Sequence, residues 1–173
     1  MKKYDVNGRV FDYSCGWGNR LVSALSLGIE YYGVDTNPNL CKLLDQCAQD
    51  FKRVTEREYL TTDIRCCGSE IEIPDFVGKM GLCFSSPPYF NLEKYNGEGS
   101  CTNIENYDTW LEKYMRPTIR NCKAYLVDGG YFVCNIKNYG KTNMYDDTLR
   151  IAKEEGLEYI SEEDYIVKKR GAT

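Results

Sequence analysis

"RVFDYSCGWGNRLVSALSLG", residues 9–28, decides the fold. Its opening, "RVFDYS" (9–14), is rich in β-branched and aromatic residues and reads as a strand. "CGWGNR" (15–20) then brings two glycines into a tight turn. Asn19 to Leu27 reads as a helix, ended by Gly28. Strand, glycine turn and helix in 20 residues make the first half of a crossover unit, and the rest of the chain repeats the alternation.

Working outward, "IEYYGVD" (29–35) is a second strand. Pro38 to Lys52 carries Leu40, Leu43, Leu44, Cys47 and Phe51 at helical spacing. "REYLTTD" (57–63) reads as a third strand and "MGLCFS" (80–85) as a fourth. Residues 89–108 read as a long polar loop containing Gly97 and Gly99. Trp110 to Leu126 is helical, with a kink or break expected before Pro117. "GGYFVCNIK" (129–137) becomes a fifth strand, and Asp146 to Glu155 a helix with Asp146 as its cap. "LEYISEEDYIV" (157–167) is expected to be a sixth strand or an edge hairpin. This order predicts an α/β fold with a mostly parallel sheet and helices on both faces. Such sheets bind ligands outside the carboxyl ends of strands, where strand order reverses. If strands one and four meet there, "CGWGNR" and "SSPPYF" (85–90) face each other across one crevice.

Bulk properties narrow the function classes. A chain of 173 residues fits one domain with one core, so residues 1–173 are read as a single catalytic domain. The net charge of −4, from 22 Lys and Arg against 26 Asp and Glu, excludes coating nucleic acid by charge alone but leaves room for a local basic groove. No apolar run is long enough for a membrane span, and the start "MKKYDVNGRVFDYS" has no apolar leader core. Nine cysteines without a C-x-x-C pair, and no histidine at all, argue against a disulfide framework or a metal site. Most of the cysteines read as small buried hydrophobes of a cytoplasmic protein. The missing histidine also removes the usual general base, so the chemistry must need little proton abstraction.

In the first half of the crevice, Asp12 ends strand one and Gly16 and Gly18 form the turn. Asp35 ends strand two, seventeen residues beyond Gly18, where a carboxylate takes the two hydroxyls of a ribose. A dinucleotide fingerprint wants a third glycine near position 21, which is Leu21. An acid beside the turn repels a pyrophosphate but suits a cation. S-adenosylmethionine has an ammonium, a sulfonium and a ribose, and no phosphate. The expected set is Asp12 for the ammonium, the Cys15–Asn19 backbone including Gly16, Trp17 and Gly18 for the turn, Asp35 for the ribose, and Asp63 near the adenine amine. The bland alternative is a tight turn with solvated acids.

In the second half, Ser86-Pro87-Pro88-Tyr89 ends a strand with two prolines, which cannot continue it. The Pro87 carbonyl and Ser86 hydroxyl offer two acceptors. Together they can hold both hydrogens of an exocyclic amine and favour the pyramidal nitrogen of a methyl-transfer transition state. Tyr89 offers a face for a base rotated out of its duplex. The bland alternative is a strand stop with Tyr89 packed on the sheet.

These residues carry a family resemblance. "SSPPYF" resembles the catalytic motif of DNA amino-methyltransferases, and "VFDYSCGWGNRL" and "YYGVDTNP" resemble their S-adenosylmethionine and ribose motifs. The resemblance covers roughly residues 9 to 140. It implies a class I methyltransferase fold of Rossmann-like type and methylation of cytosine N4 or adenine N6 in DNA. Serine before the prolines is nearer the cytosine branch, and the segment "NLEKYNGEGSCTNIENYDTWLEKYMRPTIRN" is similar to phage-associated members, in a restriction-modification setting.

Two features depart from that family. No target-recognition region is identifiable, nor is a seventh strand. Recognition then falls to the 89–108 loop, a partner subunit or a second copy, unless the chain is a catalytic fragment. Rival readings are a protein glutamine methyltransferase, against which Ser86 in place of Asn counts, an RNA methyltransferase, and a non-catalytic cofactor-binding partner subunit. "KKR" (168–170), Lys94 and Lys137 are candidate phosphate contacts, with a solvated role as the plainer reading.

Overall fold

A computed structural model describes residues 1, 3–4, 6–90, 104 and 106–164. Its elements are β1 (Arg9–Asp12), α1 (Asn19–Ser26), β2 (Glu30–Asp35), α2 (Pro38–Val54), β3 (Thr62–Cys66), β4 (Met80–Ser85), α3 (Tyr107–Trp110), α4 (Arg116–Tyr125), β5 (Leu126–Cys134) and α5 (Met144–Glu154). The five strands form one sheet in the order β3-β2-β1-β4-β5, and every pairing is parallel. Strand order therefore reverses between β1 and β4, as the sequence reading required.

Side chains alternate across the sheet because successive strand residues point to opposite faces. Val10, Tyr31 and Leu82 pack under α1 and α2 with Leu21, Leu25, Leu44 and Ala48. Phe11, Val34 and Cys83 face the other way, against Phe76 and, from α4, Cys122 and Tyr125. Phe11, Phe76 and Tyr125 meet edge to face, with centroids 5.1–5.8 Å apart. A third cluster, built on Trp110, Met115, Ile119, Met144 and Ile151, holds α3, α4 and α5 together.

Local chemistry sets the element ends. Gly28 takes φ +76° just past α1, the left-handed stop expected of it. Asn37 caps α2, its Oδ1 accepting from the amides of Asn39 and Leu40, with Pro38 in the first turn. Before Pro117 the helix widens into a π-turn, Leu111–Met115, which is the distortion expected at that proline.

Four readings need correction. The third strand is Thr62–Cys66, not 57–63. The earlier residues are a connector, because Arg57 donates to the Leu25 and Ser26 carbonyls at the end of α1 and Leu60 plugs the core. Leu43 and Cys47 are exposed on α2, whose buried stripe is Cys41, Leu44, Ala48 and Lys52. Asp146 lies inside α5 rather than capping it, and Asn138 supplies an acceptor to the Tyr145 amide. Residues 157–164 form no strand, and 165–167 fall outside the described residues. So do Lys94, the 168–170 triplet and most of the 89–108 loop. Among the described residues no helix is long and apolar enough to cross a membrane.

Candidate active site

A cleft of about 390 Å³ opens at the carboxyl ends of the strands. That volume lies within the range of small-ligand sites, ~300–1,000 Å³. Tyr13, Ser14, Gly16 and Trp17 line it after β1, and Val34 to Asn37 with Asn39, Leu40 and Leu43 after β2. Cys67 to Glu70 line it after β3, Pro88 after β4, and Tyr114 from the π-turn.

The glycine turn is shaped for close approach. Gly16 donates its N–H to Asp35 Oδ2 at 3.1 Å, joining the first turn to the end of β2. Asp35 Oδ1 accepts from the Asn37 amide at 3.0 Å. Asp35 lines the cleft, and with one of these bonds on each oxygen each has a second acceptor position. Gly18 starts α1 at φ +81°, and a Cβ there would sit 2.7 Å from Leu44 Cδ2, so the turn and α2 pack only around glycine. Trp17, between the two glycines, is 89% exposed at the rim beside Leu43. Cys15 is buried, and Asn19 is exposed and does not line the cleft.

Asp12 has a different place from the one its position in the sequence predicts. It is fully buried and does not line the cleft. Oδ1 accepts from the Ser14 amide at 3.2 Å and the Ser85 hydroxyl at 2.7 Å. Oδ2 accepts from Arg20 Nε and the Tyr31 hydroxyl, each at 2.7 Å. Four donors fill its four acceptor positions, so nothing remains for a ligand ammonium. Burial pulls the Arg20 guanidinium down, but the charge and hydrogen bond of Asp12, with Tyr31 and Cys15 beside it, together outweigh burial and the net shift is upward. Arg20 also donates to the Ser14 carbonyl, closing the loop over the acid. Asp12 thus ties β1, β2, α1 and the end of β4 into one unit.

Asp63 is also displaced. With β3 beginning at Thr62, it stands opposite Tyr32 and not at the strand's carboxyl end. Both its oxygens are held by Arg65, at 2.5 and 2.8 Å. The residue level with Asp35 is Cys66, and the cleft wall follows it. On that wall the carboxylate lining the cleft is Glu70. Its Oε2 is buried with no hydrogen-bond partner, and burial pushes its carboxyl upward from the ordinary value. Its carboxylate lies over Gly68, where a Cβ would come within 2.3 Å of both oxygens. The wall is pinned from α4: Ser69 Oγ meets Thr118 Oγ1 at 2.8 Å, and Asn121 Nδ2 donates to the Ser69 carbonyl at 2.9 Å.

The proline turn closes the other side. Ser86 donates to the Asn135 carbonyl at 3.0 Å. A carbonyl can only accept, so that bond consumes the hydroxyl proton and leaves Ser86 with acceptor lone pairs alone. Pro87 is buried, and Pro88 lines the cleft. Tyr89 is half-buried, its hydroxyl accepting from the Lys137 amide at 3.0 Å, with Tyr139 edge-on at 6.3 Å. The crevice therefore brings together Gly16, Trp17, Asp35 and Pro88, with Ser86, Pro87 and Tyr89 following β4 beside it. Asp12, Cys15, Gly18, Asn19 and Asp63 do not line it. Glu70 and Tyr114 carry no motif that would have marked them.

Solved structures share this architecture. The chain aligns with a TehB-like S-adenosylmethionine-dependent methyltransferase from Corynebacterium glutamicum at TM-score 0.60 and 18% identity, over 91% of this chain and 70% of that one. It aligns with the [4+2]-cyclase SpnF at 0.59 and 14%, over 88% and 52%, so it spans about half of SpnF's length. A geranyl diphosphate methyltransferase solved with sinefungin gives 0.55 and 13%, over 85% and 51%. No curated protein matches the chain. The fold is that of the class I methyltransferases, and a cyclase among its neighbours shows that fold alone does not fix the reaction. Residues 80–172, more than half of the chain, match the DNA methylase family of N6 and N4 methyltransferases, and the chain belongs to that family. S-adenosylmethionine is the family's cofactor. The cleft fits it: Asp35 has acceptors for a ribose, and the unpartnered Glu70 oxygen suits an adenine amine.

Proposed function

We propose that the chain transfers a methyl group from S-adenosylmethionine to an exocyclic amine of a DNA base, cytosine N4 or adenine N6. The observation that carries this reading is the Ser86 hydroxyl. With its proton spent on Asn135, it faces a substrate purely as an acceptor, which an amine needs and a carbonyl oxygen does not.

Bound S-adenosylmethionine supplies an electrophilic methyl group on a sulfonium that leaves as a neutral thioether. Ser86 Oγ and the Pro87 carbonyl accept the two amine hydrogens and hold the nitrogen lone pair toward that methyl. The nitrogen loses conjugation with its ring as it attacks, so acceptors that favour the pyramidal form stabilise the transition state above the ground state. The extra proton turns acidic once the N–C bond has formed and leaves to water, so the chain's lack of histidine is no obstacle. Tyr89 stacks on the extruded base, its ring held by the Lys137 amide. Asp35 and Glu70 bind the nucleoside half of the cofactor. Selection of the target sequence falls to the segment after Phe90, to a partner subunit or to a second copy of the chain.

Tyr89→Ala tests the assignment. Stacking is worth about 1–3 kcal/mol per base, so binding of unmethylated DNA should weaken by that much while cofactor affinity holds. Lower thermal stability with unchanged turnover per folded molecule would return Tyr89 to a packing role.

A further inference from the structure

The turn that follows β5 plays no part in the reading above, yet it is joined to the proline motif. Lys137 donates its amide to the Tyr89 hydroxyl, and the Tyr139 ring meets the Tyr89 ring edge to face at 86°. The turn is rigidly built. Tyr139 and Thr142 exchange both backbone hydrogen bonds, at 3.3 and 3.0 Å, and Thr142 Oγ1 donates to the Tyr139 carbonyl at 2.6 Å. Asn138 fastens it to α5, donating to Asp146 Oδ2 at 2.9 Å and accepting from the Tyr145 amide at 2.8 Å. Among the described residues nothing buries what this turn displays. Tyr139 is 44% exposed, and Lys137 and Lys141 are exposed with no ion pair for either ammonium among the described residues. The nearby acids are engaged: Asp146 by Asn138, and Asp147 by Tyr107 and Arg150.

We propose that this turn, residues 137–142, is a nucleic-acid contact, with Tyr139 packing on a base next to the one held by Tyr89 and Lys137 and Lys141 pairing with the flanking phosphates. Three features favour a nucleic-acid strand as the occupant. The chain is net acidic, at −4, so phosphates can be held only where cations are locally unopposed. An exposed ring flanked by free ammonium groups is the pattern that binds single strands, by stacking and by charge. The turn is fixed to the motif that would receive the extruded base, so a strand leaving that base passes over it. The proposal rests on the reading given under Proposed function.

Fluorescence anisotropy with a labelled unmethylated duplex, and with one of its strands, tests it in wild type, Lys141→Glu, Tyr139→Ala and Tyr139→Phe. Lys141→Glu should weaken binding several-fold and reduce the slope of log affinity against log salt by about 0.7–0.9 for one phosphate contact. Tyr139→Ala should cost about 5- to 150-fold, and Tyr139→Phe should retain the affinity. Affinity for S-adenosylhomocysteine, measured by calorimetry, should be unchanged throughout. Wild-type binding with unaltered affinity and salt slope in Lys141→Glu and Tyr139→Ala overturns the turn's role and leaves the catalytic reading standing. Wild type that binds cofactor but neither form of DNA overturns both.

Discussion

Replacing Asp12 by Asn exchanges one oxygen for an NH₂ group, and the structure shows why no rotation of the amide can absorb it. Two of the four donors on Asp12 cannot turn away: the Ser14 amide on Oδ1 and the Arg20 guanidinium on Oδ2. An Asn side chain has one oxygen, so its NH₂ must face one of these N–H groups in either orientation. The Ser85 and Tyr31 hydroxyls can rotate, one to accept from the NH₂ and the other to donate to the remaining oxygen, so the loss falls on the N–H donor that faces the NH₂. Removing one member of a buried ion pair costs about 3–5 kcal/mol. The Arg20 side chain is 25% exposed, so water recovers part of its solvation and the loss should lie near the lower end, about 3 kcal/mol. At about 2–4 °C per kcal/mol for a chain of this size, the midpoint of thermal unfolding should fall by about 6–12 °C. Denaturant unfolding followed by circular dichroism measures the loss, and calorimetry well below the midpoint gives cofactor affinity for the folded variant. The reasoning predicts a large stability loss with affinity within a few-fold of wild type. A stability loss below about 1 kcal/mol together with a large loss of affinity would restore Asp12 as a direct ligand of the ammonium.

Three further outcomes follow from the cleft. Glu70→Leu should lower cofactor affinity by about 1.5 kcal/mol, the small end for a bond to a charged acceptor, without destabilising the free protein, since it removes a buried unpartnered oxygen; unchanged affinity would remove Glu70 from the site. Burial raises the folded-state pKa of Glu70, so the free protein should lose stability as pH rises through that value, while cofactor affinity should fall as pH drops through it; Glu70→Gln should flatten both profiles, and profiles unchanged by it would refute the assignment. Trp110 is buried and Trp17 exposed at the rim, so cofactor binding should change tryptophan emission in wild type but not in Trp17→Phe; a signal that survives that substitution would place Trp17 away from the ligand.

β1, β2 and β4 were legible because each ends in a readable stop: Gly16 and Gly18 after β1, Asn37-Pro38 after β2, Pro87-Pro88 after β4. What the sequence hid is the convergence of distant donors. An acid at the end of β1 looks the same in the sequence whether it faces a ligand or Arg20, Tyr31 and Ser85, the last of them 73 residues away. Asp63 was misplaced because "REYL" has the composition of a strand, yet Arg57 is drawn to the end of α1 and pairing starts only at Thr62. Glu70 lies on a loop without motif or periodicity, and its position is set by Thr118 and Asn121, 49 and 52 residues from Ser69. Leu43 reads as a core position by helical spacing but stands at the rim of the cleft, where the apolar stripe of α2 is wider than the face it buries.

Methyl transfer itself is tested most directly by incubating the protein with unmethylated DNA and methyl-labelled S-adenosylmethionine, digesting the DNA to nucleosides and separating them. The account predicts label in N4-methylcytosine or N6-methyladenine, greatly reduced when Ser86 is changed to Ala. Label that appears only in C5-methylcytosine, in RNA or in protein, or label in DNA that is indifferent to Ser86, would contradict it.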